Sequence, residues 1–139
     1  MNAMPDVLPP QPWPWENFPH AELSRVSTGG VRMVPAFLDR LQTLRLSFQH
    51  PIILTSAYRS PEYNLRVAST GANGPHTTGR AVDILIQGAD ALDLIGRAWV
   101  NGFTGIGLKQ HGPHNGRFVH LDDLPAGPDR PRPWIWTYA

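Results

Sequence analysis

Apolar residues recur at Phe37, Leu38, Leu41, Leu44 and Phe48, the three-and-four spacing that keeps one face of a helix on a core. Pro35 suits the first turn of that helix, where its missing N–H costs nothing. The apolar run 52–55 is too short for a helix and reads as a short buried strand. Residues 61–67 predict a short helix, followed by a polar loop through Ser69, Gly71, Asn73 and Gly74. Residues 81–86 read as another strand. Leu92, Ile95 and Trp99 mark one face of a second clear helix, which Gly102 ends. Two short strands follow near 105–109 and 117–121, separated by the loop Gln110-His-Gly-Pro-His-Asn-Gly116. No internal repeat is visible. The mixture predicts an α+β domain, with helices packed on a small, largely antiparallel sheet.

Proline closes both ends of this pattern. Pro5, Pro9, Pro10, Pro12 and Pro14 make residues 1–17 a non-helical arm, and the domain proper is expected over 18–139. Trp13 and Trp15 are costly to leave in water and predict an arm packed on the body. The C-terminal tail repeats the theme: Pro125, Pro128, Pro131 and Pro133 lead into Trp134-Ile-Trp136-Thr-Tyr138. Structural clasps are the favoured reading of both tails; a partner-binding surface is the alternative.

Composition narrows the chemistry. The 139 residues suit one domain, and a formal charge of +1 supplies no basic field for nucleic acid. There is no cysteine, so disulfides, thiolate ligands and a Cys nucleophile are excluded, and any metal must be held by nitrogen and oxygen. No apolar run approaches the ~20 residues that span a bilayer, and nothing reads as a signal peptide. The expectation from composition is a protein without membrane or nucleic-acid partners.

Strand alternation then points to Asp83 and His120, and a loop brings a third residue, His76. Val82, Ile84 and Ile86 share one face of their strand, so Asp83 points the other way. Val119 and Leu121 share one face of the last strand, leaving Phe118, His120 and Asp122 on the other. His76 precedes Gly79 in a loop that can fold back over that polar face. Two imidazoles and a carboxylate form a three-ligand set for zinc with a fourth position open. Read singly, each has a plainer explanation as a surface or hydrogen-bonded residue, and the His-Glu-x-x-His signature is absent.

The motifs around these residues carry a resemblance. Ser56-Ala-Tyr-Arg59-Ser-Pro-Glu-Tyr-Asn64, Gly74-Pro-His76-Thr-Thr-Gly79-Arg-Ala81-Val-Asp83, Gly105-Ile-Gly107 and Phe118-Val-His120-Leu-Asp122 together resemble the M15 family of zinc D-Ala-D-Ala peptidases. The likeness is strongest to its compact branch of peptidoglycan endopeptidases and phage-associated cell-wall enzymes, and it runs from about Phe18 to Trp134. The resemblance implies a hedgehog/DD-peptidase-like fold and one zinc ion per chain held by His76, Asp83 and His120. It implies that Arg59 binds substrate and stabilises the tetrahedral intermediate, and that the substrate is a bacterial peptidoglycan peptide. With no signal peptide evident, it also implies a phage or prophage setting, cytoplasmic until release or virion-associated and acting on the cell wall, with a virion or tail assembly as a partner.

The chain departs from the family's pattern at the general base. Relatives place an acid or a His two or three residues before the last zinc-binding histidine, where this chain has Arg117 and Phe118. His111 and His114 are the candidate substitutes, because imidazoles ordinarily exchange protons near neutral pH. A plain polar turn is an equal reading of that loop. Asp122 is a candidate to shuttle the proton or to orient a ligand from behind. Two other readings stay open: a non-catalytic zinc module, such as a tail component, and a structural zinc closed by His111 or His114 as fourth ligand.

Overall fold

The computed structural model describes residues 5–6 and 12–139. Its elements run α1 (His20–Arg25), α2 (Pro35–Phe48), β1 (Ile53–Ser56), α3 (Pro61–Val67), β2 (Ala81–Leu85), α4 (Gly88–Val100), β3 (Gly105–Lys109), β4 (Phe118–Asp122) and β5 (Trp134–Thr137). The five strands form one sheet in the order β1-β2-β4-β3-β5. All neighbours are antiparallel except β3 and β5, which run parallel. The architecture is the small α+β fold expected from the alternation. Among the described residues no helix is long and apolar enough to cross a membrane.

The core lies between the helices and one face of the sheet. Helix α2 buries Phe37, Leu38, Leu41, Leu44 and Phe48 against Leu54, Val82, Ile84, Val119 and Leu121. Each such side chain contributes about 1.5–3 kcal/mol through burial. Phe37 meets Phe103 edge to face at 5.9 Å. Helix α4 turns differently from its apolar stripe: it buries Ala91, Leu94 and Ala98, while Leu92 and Trp99 are exposed and only Ile95 of the expected face packs on the core. The alanines let the helix approach closely, which a Leu92–Trp99 face would prevent. Strand β1 is likewise not fully buried. It is an edge strand whose Ile53 is half exposed.

Both aromatic ends pack. The Trp15 indole is buried and donates to Asp39 Oδ1 at 2.8 Å, and Trp13 donates to the carbonyls of Trp15 and Phe18. The expected arm also covers residues 1–4 and 7–11, which lie outside the described residues. At the other end the tail becomes a strand, β5, laid along β3 from Gly105↔Trp134 to Leu108↔Thr137.

Candidate metal centre

Register brings the polar face together. Asp83 on β2 pairs with His120 on β4, His120 pairs with Gly107 on β3, and Gly107 pairs with Trp136 on β5. At the far side, Leu54 pairs with Ile84 but Ser56 pairs with Asp83, so one extra residue of β1 is bulged out. A bulge re-aims the residue that follows it. Ser56 thereby joins the row of Asp83, although Leu54, two residues earlier, belongs to the core.

His76 reaches the same place from a 3-10 turn, Pro75–Thr78. Gly79 ends the turn at φ 72°, a left-handed conformation that glycine adopts without strain. The turn is tied to the chain after β1 in both directions: His76 Nδ1 donates to the Ala57 carbonyl at 2.7 Å, and the Arg59 amide donates to the His76 carbonyl at 3.1 Å. Behind it, Arg80 forms a two-point ion pair with Asp123. The Asp123 side chain is buried between Arg80 and Arg40.

Three ligand atoms converge. Asp83 Oδ1 lies 3.2 Å from His76 Nε2 and 3.1 Å from His120 Nδ1, and the three residues are buried, with ligand atoms all within 4.8 Å of one another. Each ring has its other nitrogen engaged, His76 with Ala57 and His120 with Asp122 Oδ2 at 2.8 Å. In the neutral rings those engaged nitrogens carry the protons, so Nε2 and Nδ1 present lone pairs to a carboxylate. Three acceptors facing one another demand a cation or protons between them. Zinc bonds of 2.0–2.1 Å in a tetrahedron set ligand atoms about 3.3 Å apart, close to the separations from Asp83. The donor set fits zinc.

Without a cation the same charges show as shifted proton affinities. Burial opposes ionisation of Asp83, but the two imidazoles outweigh it and hold the carboxyl well below its usual range. Burial alone would lower His120, yet its hydrogen bonds to Asp122 and Asp83 carry it up to about 9. Asp122 is also desolvated and is nonetheless held at about 2 by His120 and Arg132.

Arg59 borders the cluster. Its Nε donates to Ser56 Oγ at 3.1 Å, Nη1 to Asn64 Oδ1 at 3.3 Å, and Nη2 stands 3.5 Å from Asp83 Oδ2. Asn64 is buried and gives its own amide to Thr70 Oγ1 and the Gly71 carbonyl. The Ser-Ala-Tyr-Arg…Asn motif is thus a device for fixing a guanidinium at the edge of the Asp83 carboxylate.

The family described as Peptidase M15 matches residues 17–122, most of the chain and all of these motifs. The chain belongs to the M15 peptidase family. M15 peptidases are zinc-dependent hydrolases, and the His76–Asp83–His120 group can hold a metal ion. No curated relative and no solved structure matches the chain.

The remaining candidates of this M15 peptidase occupy different settings. Asp122 is fully buried, and both of its oxygens are engaged by Arg132, His120 and the Leu124 amide. His111 is exposed, its Nε2 3.2 Å from the Tyr138 carbonyl oxygen. His114 is exposed in a 3-10 turn and lines a shallow depression with Phe48, His50, Ile53 and Leu85. His50 is exposed against the Phe48 ring, and His20 begins α1 beside Trp13.

Three residues of the site's surroundings were missed in the sequence: Arg132, Trp136 and Tyr138. The Trp136 ring lies 5.1 Å from His120, and Tyr138 packs on Phe118 at 5.0 Å. Burial and then the Asp83 charge push the Tyr138 phenol up to about 12, so it stays a proton-bearing donor. The alternation Trp134-Ile-Trp136-Thr-Tyr138 is a strand signal that could have placed these aromatics on one face. Strand β3 makes room for them. A Cβ at Gly107 would meet the Trp136 indole at 2.6 Å, and one at Gly105 would run into the Asp122 carboxylate.

Proposed function

We propose that this M15 peptidase hydrolyses peptide bonds of bacterial cell-wall stem peptides or their cross-links, at bonds that involve a D-amino acid, with one zinc ion per chain. A phage or prophage wall-degrading enzyme is the setting we favour, on the motif likeness to that branch of the family. The single observation that carries the catalytic reading is the meeting of two imidazole nitrogens, one carboxylate and a fixed guanidinium at one point on the sheet.

In that reading His76 Nε2, Asp83 and His120 Nδ1 hold the metal. When bound, zinc polarises the scissile carbonyl and lowers the pKa of a water to about 7. Arg59 stabilises the negative charge that develops on the carbonyl oxygen. Its 3.5 Å separation from Asp83 leaves Nη2 hydrogens for the substrate, and Ser56 and Asn64 hold the group so that it need not reorganise. Asp122, enclosed on all sides, acts by orienting His120 rather than by touching the substrate. Proton transfer to the leaving amine falls to His111 rather than His114. His111 bonds the residue whose ring lies beside Phe118 and Trp136, on the site's face, while His114 opens on the Phe48 depression.

The test is digestion of purified peptidoglycan by metal-analysed protein, with His120→Ala and a chelator as controls. New muropeptides show endopeptidase action, and free D-alanine shows carboxypeptidase action. One zinc per chain with neither product overturns the catalytic reading and leaves a non-catalytic zinc module. Arg117 supports that second reading: at a place where the family's pattern has an acid or a His, its guanidinium turns to the Gly112 carbonyl and Gln87.

A further inference from the structure

The chain beyond residue 122 lies outside the family match, yet it reaches the metal centre. Arg132 Nε donates to Asp122 Oδ1 at 2.9 Å and Nη2 to Oδ2 at 2.8 Å. The arginine side chain is 5% exposed and the carboxylate 0%. Asp122 Oδ2 also takes the His120 Nε2 contact at 2.8 Å, and Oδ1 takes the Leu124 amide at 3.3 Å. On its outer face the guanidinium stacks 5.1 Å over Trp136, the ring that flanks His120.

Without Arg132, Asp122 would keep the His120 contact on Oδ2 and only the long 3.3 Å Leu124 amide on Oδ1, a looser hold on its plane. A fork of two parallel N–H bonds fixes its plane. The plane of Asp122 in turn sets the direction from which His120 Nε2 is gripped, and so the direction of Nδ1. We propose that Arg132 is a positioning residue of the metal centre, acting through Asp122 on the His120 ring so that Nδ1 faces Asp83 and His76. The inference rests on the zinc reading above. It gives the C-terminal tail a part in the site that a clasp alone would not have. The glycines of β3 complete the device, since Gly105 admits the carboxylate and Gly107 the indole.

The full-length chain would be prepared as wild type, Arg132→Lys, Arg132→Gln, Asp122→Asn and the Arg132→Gln/Asp122→Asn double variant. Zinc affinity would be read by chelator competition, the coordination geometry by the visible spectrum of the cobalt-loaded protein, and folding by melting of the metal-free form. Arg132→Gln should weaken zinc binding about 10- to 100-fold and change the cobalt spectrum, as loss of a ligand's orienting partner does. Arg132→Lys, a one-point donor, should fall between it and wild type, and carries the comparison if the glutamine variant does not fold. In the Asp122→Asn background, Arg132→Gln should cause no further loss. If a zinc-binding wild type and both arginine variants share one affinity and one spectrum, the positioning role is overturned alone. Additive losses in the double variant overturn it equally. A folded wild type that binds no zinc overturns it together with the metal reading.

Discussion

Asp83 and His120 face each other across β2 and β4, with Asp83 Oδ1 3.1 Å from His120 Nδ1. They are 37 positions apart, and strand pairing alone makes them neighbours. Asp83→Asn keeps the shape of the side chain and removes the anion that gathers both imidazoles. The expected result is less than a tenth of wild-type zinc content at equal protein, with wall-degrading activity lost in step. Metal analysis after dialysis measures it.

Arg59→Lys separates binding from turnover. A lysine cannot reach Ser56 and Asn64 while presenting a further donor at Asp83, so charge is kept and placement is lost. Zinc content should stay at one per chain while kcat falls about 100- to 1000-fold, the loss typical of one oxyanion donor. Steady-state kinetics on a soluble stem peptide, with metal analysis beside it, checks both halves.

Acid and base should act oppositely on the metal-free and zinc-loaded protein. His120 is raised from 6.5 to about 9, so its contribution is full below about pH 6.5 and fades as pH rises through 9. Asp122 is depressed to about 2, so its contribution is present above about pH 4 and fades as pH falls through 2. The metal-free protein should therefore melt highest between about pH 4 and 6.5. Zinc needs an unprotonated His120, so the increase in Tm that it brings should grow from pH 6 to 9. Calorimetry with and without zinc across that range reads the two trends.

His111→Ala and His114→Ala test the proton path. Loss of His111 should lower kcat about 100-fold or more, within the range for general acid–base catalysis, and change the pH–rate profile, with zinc content unchanged. Loss of His114 should leave both within twofold. The reverse order would move the proton path to the Phe48 side.

The metal face was legible because its signal is local. Period-two alternation in Ala81–Leu85 and Phe118–Asp122 fixes which side chains leave the core, whatever the rest of the chain does. Helix α4 was harder. Leu92, Ile95 and Trp99 form an apolar stripe as good as Ala91, Leu94 and Ala98, and only close packing with the neighbouring layers decides which stripe turns inward. Ser56 was illegible for another reason: a bulge between Leu54 and Ser56 reverses its face, and neither residue type announces it. The pairing of Asp122 with Arg132 depends on a tail that turns back beside β3, a long-range event with no local mark except its alternating aromatics.

Gly105 and Gly107 give an inverted meaning to an alanine scan of this protein. At most positions of the site, alanine removes a group and reports what the group did. At these two it adds a methyl where the Asp122 carboxylate and the Trp136 ring already stand. A scan would therefore flag both glycines as sensitive although neither has a side chain to lose. What strand β3 supplies at these points is a mould, and its fit is read from what can no longer be seated in it.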